Sequence, residues 1–523
     1  MARCAPFLVA LFLGACFPPG DGIDPPSNQF YFPVGLALDA DASHLFVVSS
    51  DFDLQWNAGR LHSVNLNRVA DAIAPMLAGG CWTDADGNSL EQSPADRLLY
   101  PGRCKAVDPW SSPWSDGEGA MVTDDVQIGA FATDVVFRER PVDAPTGDPG
   151  RLFIPVRGDA TLHWIDVKAD GTLFCGQPAR RGACDAAHRA GDDPAAENTR
   201  GARLLAEPYG VDVDDRASVV LVTNQTSGAA GLFLNDWGGS ARYEFTLGGL
   251  PDRPMGVAAL PEPRVVPALG LPHLPGFLVG FRNASSLYMV RTYFDEGANP
   301  PRPYAKIPAS AAILTNSVGS DSRGLAVDGT RRREEERFCA ERFGLDDLSA
   351  QDPVAAAAAG PDYATCVTEA SAVPLDVFVT NRAPASLIIG RSRPAIADIA
   401  SNDVPAFHTA VPLPLGPTRV VMGDVLNADG EPERRAFAIS FDTRRITIYD
   451  PVRQRVEAEV LTGRGPQAFV ADVKRGLGYV AHFSDSYLGV IDLDQRRLST
   501  YGTVVAGIGR PAPPRSSETE GAR

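Results

Sequence analysis

Short apolar runs recur along this chain in groups of three, separated by turn residues. Each group opens with a run entered through Pro-x-Gly or a close variant. A second run of four or five apolar residues ends in a small polar pair, and a third ends near Asp or Asn. Seven such groups follow one another: 33–39, 45–49 and 61–65; 132–137, 152–156 and 162–166; 208–213, 219–224 and 231–235; 254–259, 277–281 and 287–291; 322–328, 377–381 and 386–390; 417–422, 436–440 and 446–450; 466–471, 477–481 and 488–492. β-Branched and aromatic runs of this length, bounded by turn formers, predict strands. A fourth, alternating run usually follows, as at 243–247 and 456–460. Such alternation suits an outer strand with one wet face.

Self-similarity of this kind marks a repeat architecture. The positions equivalent to the motif glycine are 35, 134, 210, 256, 324, 419 and 468, so the spacings are 99, 76, 46, 68, 95 and 49. The two shortest fit an undecorated four-stranded unit of about 40–50 residues. The longer ones carry insertions, at 68–121, 168–202 and 329–373. The expected fold is all-β: a seven-bladed β-propeller of four-stranded antiparallel blades over 29–508, whose radial stacking hides the blade faces. Helical periodicity between the strands is nearly absent, which argues against an α/β fold. Blade seven is expected to own its fourth strand, at 498–505, with 29–32 near the closing edge.

In a meander, the turns joining strand one to two and strand three to four share one face. The turns joining two to three, and the links between blades, share the other. On that topology the three insertions, with the Pro-rich stretch 261–275, decorate one face and leave the other with short loops. Within the third insertion, Arg331, Arg332 and Arg333 precede Glu334, Glu335 and Glu336. Opposite charges three or four apart support an exposed helix over 331–343.

The second runs at 221–224 (LVTN) and 378–381 (FVTN) resemble the YVTN repeat that names one propeller family. The resemblance spans roughly 33–505 and implies a seven-bladed fold, often in secreted or envelope proteins. The family has no common reaction, so no catalytic residue follows from it.

The first residues read Met-Ala-Arg, then an apolar stretch over 5–13, then Leu13-Gly-Ala-Cys16. A basic start, an apolar core too short to span a bilayer, and small residues before a cut describe a signal peptide over 1–15. Leu-Gly-Ala-Cys resembles a bacterial lipobox, which implies cleavage before Cys16 and lipidation of that residue; the alternative is an ordinary signal peptide with a chance cysteine. Phe17 after the cysteine points to the outer membrane rather than the inner one. Residues 16–28 hold four prolines and read as a stiff tether, while 509–523 read as a disordered tail.

Beyond Cys4 and Cys16 six cysteines remain, as neighbouring couples: Cys81 with Cys104, Cys175 with Cys184, Cys339 with Cys366. Each couple falls within one insertion, and an oxidising compartment favours disulfides. No couple has the close spacing of a structural zinc site.

The formal charge is −17, with only four lysines: Lys105, Lys168, Lys306 and Lys474. Such a surface excludes the phosphate-neutralising role that nucleic-acid binding needs. Haem, zinc-protease, nucleophile-elbow and phosphate-loop motifs are all missing, so no cofactor is expected. The histidines are scattered. Asp84, Asp86 and Asn88 form a weak calcium-loop candidate, since Gly87 falls one place early for an EF-hand; similar Ala-Asp-Gly triplets at 169–171 and 428–430 are explained by hairpin turns.

Second strands end, and first strands begin, at the short-looped face near the central channel. Asn224, Asn283, Asn381, Asp442 and His482 sit at or just after the second-strand ends. Asp134, Tyr209, Arg323 and Arg419 sit at the first-strand starts. Together they form a candidate ligand funnel, against the reading that Asn and Asp serve tight turns. The functional expectation is a lipid-anchored envelope propeller that binds or scaffolds a protein, glycan or small molecule, touching the membrane through its lipid. The alternative is a hydrolase or lyase of the lactonase-like propeller class.

Overall fold

The computed structural model describes residues 22–512, apart from 84–85, 112–118, 143, 177–181, 263–273, 296, 299–301, 314–320, 347–349, 351–352 and 394–402. The signal segment, Cys16, Asp84 and most of the tail therefore lie outside the described residues.

Seven antiparallel sheets form, each with its four strands in sequence order, and every predicted run falls in or across its strand. The innermost strands pack side by side around a closed circle: Pro33–Leu38, Val136–Glu139, Pro208–Val213, Pro254–Leu260, Ser322–Asp328, Pro417–Leu426, Pro466–Asp472, and back to the first. Second and third strands such as Val219–Asn224 and Tyr487–Asp492 are buried along their whole length, which is why their runs are continuous rather than alternating.

The repeated motif has a steric cause. In six blades a β-bulge separates the entering residue from the glycine-equivalent position. There the backbone meets the neighbouring inner strand: a Cβ on Gly210 would lie 2.3 Å from the Met255 carbonyl, and one on Gly324 would lie 2.5 Å from the Arg419 Cα. The Thr-Asn ending belongs to the same joint. Thr223 Oγ1 accepts from the Gly210 amide at 3.0 Å and donates to the Met255 carbonyl at 3.0 Å. Asn224 donates to the Leu205 carbonyl of the incoming link at 2.8 Å.

The circle closes by side-chain packing rather than by strand exchange. Blade seven keeps all four of its own strands, and the outermost is Val504–Ile508 rather than 498–505. Residues 497–500 instead turn back onto Asp492, which accepts from Arg497 and from the Thr500 hydroxyl. The seam between blades one and seven is filled by Leu45, Val47, Tyr479, Val490 and Ala506 together with the helix Leu66–Leu77. Asn65 caps that helix by accepting from the amides of Asn67 and Arg68. Its apolar residues Leu66, Val69, Ile73 and Met76 recur at helical spacing and all face the seam. Farther along the first insertion, Val107 pairs in parallel with Ile508, donating to the Gly507 carbonyl at 2.8 Å and accepting from Gly509 at 2.8 Å. Phe30 of the 29–32 segment packs against Trp110 and His62 at the same seam, without forming a strand.

The three cysteine couples are disulfides, with sequence separations of 23, 9 and 27. They do not share a face, which corrects the sequence reading. Cys81–Cys104 lies in the segment running along the outer edge of blade seven. Cys175–Cys184 interrupts the outer strand of blade two, which is split into Leu173–Phe174 and Arg189–Ala190. Only Cys339–Cys366 decorates the predicted face, in a helical layer of Thr330–Arg342, Pro353–Ala358 and Pro361–Ser371. Arg332 ties that layer down by pairing with the buried Asp403 and donating to the Val373 carbonyl. An insertion departs from a turn but need not stay on the face of that turn. No helix among the described residues is long and apolar enough to cross a membrane.

Candidate functional site

A cavity of about 390 Å³ opens where second strands end and first strands begin, and all seven blades line it. Its floor is an ion pair across the channel. Arg419 of blade six donates to Asp134 of blade two at 2.7 Å and to the Thr133 carbonyl at 3.0 Å. These blades are not neighbours, since blades seven and one lie between them. Asp134 and Arg419 occupy glycine-equivalent positions of the repeat. At that ring of close approach, the two charged departures from the pattern meet over the axis. Burial lifts the Asp134 carboxyl above its usual range, against the pull of Arg419. For Arg419 burial acts to lower the pKa, but the Asp134 carboxylate outweighs it and the guanidinium stays firmly charged.

Above this floor the walls divide. One arc is aromatic: Phe441, Phe483, Phe52 and Phe131, from blades six, seven and one and the link to blade two. Phe52 and Phe483 stand edge to face at 5.2 Å, and Phe52 meets Phe131 at 5.6 Å. The other arc is polar: Tyr209, Gln225, Arg323 and Arg382. Arg323 is oriented by Asp321 at 2.9 Å, and Arg382 by Asp442 at 2.5 Å. Asp321 is half-buried, which acts to raise its carboxyl, yet Arg323 and Arg282 hold it below the usual range. Arg157 pairs with Glu207 and lies 5.9 Å from the Phe131 ring. Each guanidinium carries five N–H donors, more than its pairing consumes. The result is a mouth with a ring-stacking side and a donor-rich side.

Five of the residues expected in the funnel line the cavity: Asp134, Tyr209, Arg323, Arg419 and Asp442. The other four do not. Asn224 and Asn381 spend their amides on the backbone, Asn381 accepting from the Asp321 amide at 3.1 Å and donating to the Pro384 carbonyl at 2.9 Å. Asn283 is exposed in the turn between strands two and three of blade four. His482 is fully buried beneath the mouth, stacked on Tyr487 at 4.2 Å and accepting from the Gly463 amide at 2.9 Å. Burial there drives its pKa down to about 3, so it is a neutral structural ring. The aromatic arc escaped the sequence reading, though its signal was present: Phe52, Phe441 and Phe483 each follow a second strand by one to three residues.

Asp86 and Asn88 sit in a turn closed by a bridge between Thr83 and Ser89. Among the described residues, no cluster of three or more His, Cys, Asp or Glu side chains could hold a metal ion.

No family model matches the chain, and no curated protein matches it. Solved structures do. Hydrazine synthase of Kuenenia stuttgartiensis is similar at 10% identity and a TM-score of 0.42, covering 88% of this chain and 96% of that one. A periplasmic gluconolactonase of Pseudomonas aeruginosa is similar at 10% identity and 0.43, covering 83% and 86%. A putative 6-phosphogluconolactonase of Bacteroides uniformis is similar at 11% and 0.40, covering 82% and 86%. Likeness this distant carries no argument about what this chain binds or converts.

Proposed function

We propose that this propeller is a lipid-anchored binding protein of the bacterial envelope whose channel mouth holds one small molecule. The carrying observation is the divided cavity above the Asp134–Arg419 floor. A ligand that fits has an apolar or ring-shaped body for the phenylalanine arc and oxygen acceptors for Arg323 and Arg382. Offset or edge contacts to aromatic rings are worth about 0.5–1.5 kcal/mol beyond area burial. Charge-assisted hydrogen bonds are roughly twice as strong as neutral ones. Binding rather than turnover is favoured because no histidine or cysteine is among the lining residues, and both lining carboxylates are paired with arginine. The envelope location is supported by the leader pattern, the Cys16 motif and three disulfides.

Calorimetric titration of the purified protein with a panel of sugars, sugar lactones and aryl glycosides tests the reading. A binder is expected whose affinity falls at least tenfold in Phe483→Ala and in Arg382→Ala. A panel without a binder, together with a protein captured on the opposite face, would sink it.

One observation favours the enzyme alternative: a carboxyl raised by burial, Asp134, faces the cavity. Such a group could take a proton from water attacking a lactone carbonyl and return it to the departing ring oxygen as the C–O bond breaks, giving the hydroxy acid. Lactone turnover that disappears in Asp134→Asn would establish this instead.

A further inference from the structure

The described chain begins at the cavity face. The Ile23 carbonyl accepts from the Asn57 amide at 2.9 Å, and Asp24 accepts from the Asn57 side chain at 3.1 Å. The Pro25 carbonyl accepts from Arg60 at 2.9 Å. Asn57 belongs to the loop joining strands two and three of blade one, the same loop that sends Phe52 into the mouth. Residues 23–25, read in the sequence as tether, are thus pinned to blade one on that face.

From Cys16 to Ile23 the chain advances seven residues. Fully extended, these reach about 25 Å. A strand of six or seven residues is itself about 20 Å long. To lay the opposite face on a bilayer, the same seven residues would have to round the rim and then pass a whole strand length. The most direct path to the bilayer leaves from the face on which Ile23 is held.

That face also projects apolar side chains. Ile23, Phe52, Leu54 and Leu415 are exposed by 67%, 48%, 59% and 68%. Leu415 belongs to the link between blades five and six, its carbonyl held by Thr443 of the adjacent turn. The opposite face exposes Val142, Val452 and Leu498, so exposure by itself does not decide the orientation. The point where the chain leaves blade one does. Phenylalanine and leucine at the headgroup boundary add to the hold of an acyl anchor.

Resting on the lipid-anchor reading, we propose that the channel mouth faces the bilayer. The cavity then opens onto the lipid surface. The partner of this face is the membrane itself, and a ligand reaches the cavity through the gap between protein and headgroups.

Site-specific photocrosslinking in native membranes tests this on the full chain. A photoreactive residue replaces Leu54 or Leu415 on the mouth face, and Val452 or Leu498 on the far face. Lipid adducts are expected several-fold more often at 54 and 415. Equal or reversed yields would overturn the orientation. Mass spectrometry of the Cys16 peptide, with Cys16→Ala as control, is read in parallel. An acylated Cys16 with far-face adducts defeats the orientation alone. An unacylated Cys16, with Cys16→Ala fractionating like the parent, defeats the anchor and the orientation together.

Discussion

At the scale of single residues, the pair Asp134–Arg419 carries most of the site's logic. Both side chains are about one-fifth exposed to the cavity, at 22% and 19%. Removing one partner of a fully buried pair costs about 3–5 kcal/mol, and partial exposure brings the expected loss for Arg419→Met to about 1–3 kcal/mol. Asp134→Asn should cost less, because its carboxyl is already lifted by burial. The double substitution should cost less than the sum, and chemical denaturation of the four proteins measures the coupling. Both charges were legible as departures from the motif glycine. Their meeting was not, because nothing local to either repeat says which blades face each other over the axis.

The buried histidines set the acid limb of stability. Burial, with Arg60 adding, brings His62 down to about 3, and burial brings His482 down to about 3. The unfolded chain takes up these protons below the ordinary histidine pKa while the folded chain does not. Their contribution is therefore complete above about pH 6.5 and is lost as pH falls toward 3, by up to about 1.4 kcal/mol per pH unit for each ring. His62→Phe, packed between Phe30 and Trp110, should flatten that limb by one proton in urea melts between pH 4 and 6. Asp51 works the other way. Burial, with Asp53 adding, pushes its carboxyl up to about 7. Its contribution is present below the ordinary carboxylate pKa and is lost as pH rises through about 7. Asp51→Asn should therefore gain stability relative to the parent as pH rises from 5 to 8, whatever its constant offset.

At the scale of elements, inner and middle strands were plain in the sequence and outer strands were not. A strand buried on both faces writes a continuous apolar run, as Phe378 and Val379 do within Asp376–Arg382. An outer strand such as Arg455–Leu461 is mostly exposed and leaves a faint pattern. The last strand of blade seven, Val504–Ile508, is buried throughout beneath the first insertion and was placed early for another reason: nothing in the sequence shows that 497–500 turn back onto Asp492. The helix Leu66–Leu77 was missed although its apolar spacing was readable, because it sits inside an insertion. The helix Thr330–Arg342 was found from its charges. Its disulfide to Cys366 closes a loop with a sequence separation of 27. In the chain-entropy model such a closure contributes about 3.5 kcal/mol. The cost of Cys339→Ala with Cys366→Ala should be local. Hydrogen exchange is expected to rise over 330–371 and to stay slow in the middle strands of blade five. Faster exchange throughout the blade would show that the helical layer supports the ring.

At the scale of the whole molecule, the seam decides stability. Blades one and seven share no strand, so first is held to last by packing, by the Val107–Ile508 pairing, and by hydrogen bonds such as Arg475 to the Ala42 carbonyl and the Phe32 amide to Ser486. Val107→Pro removes the amide that donates to Gly507 and leaves a buried carbonyl unmatched, at about 1–3 kcal/mol. The thermal midpoint should drop, and protease sensitivity should appear first near the seam. Val452→Ala, at an exposed position of blade six, should do neither. Loss of cooperativity without a shift in midpoint would mean that the ring opens elsewhere.

The same join has a meaning in time. Val107 is synthesised about 400 residues before the Gly507 carbonyl it grips. At about 5–20 residues per second the first blade waits roughly 20–80 s for its partner. Until then the growing chain is an open fan, with greasy flanks at both ends and a permanent risk of pairing with a sister molecule. Export machinery or a chaperone that shields the leading flank would serve this protein more than any aid to its individual sheets.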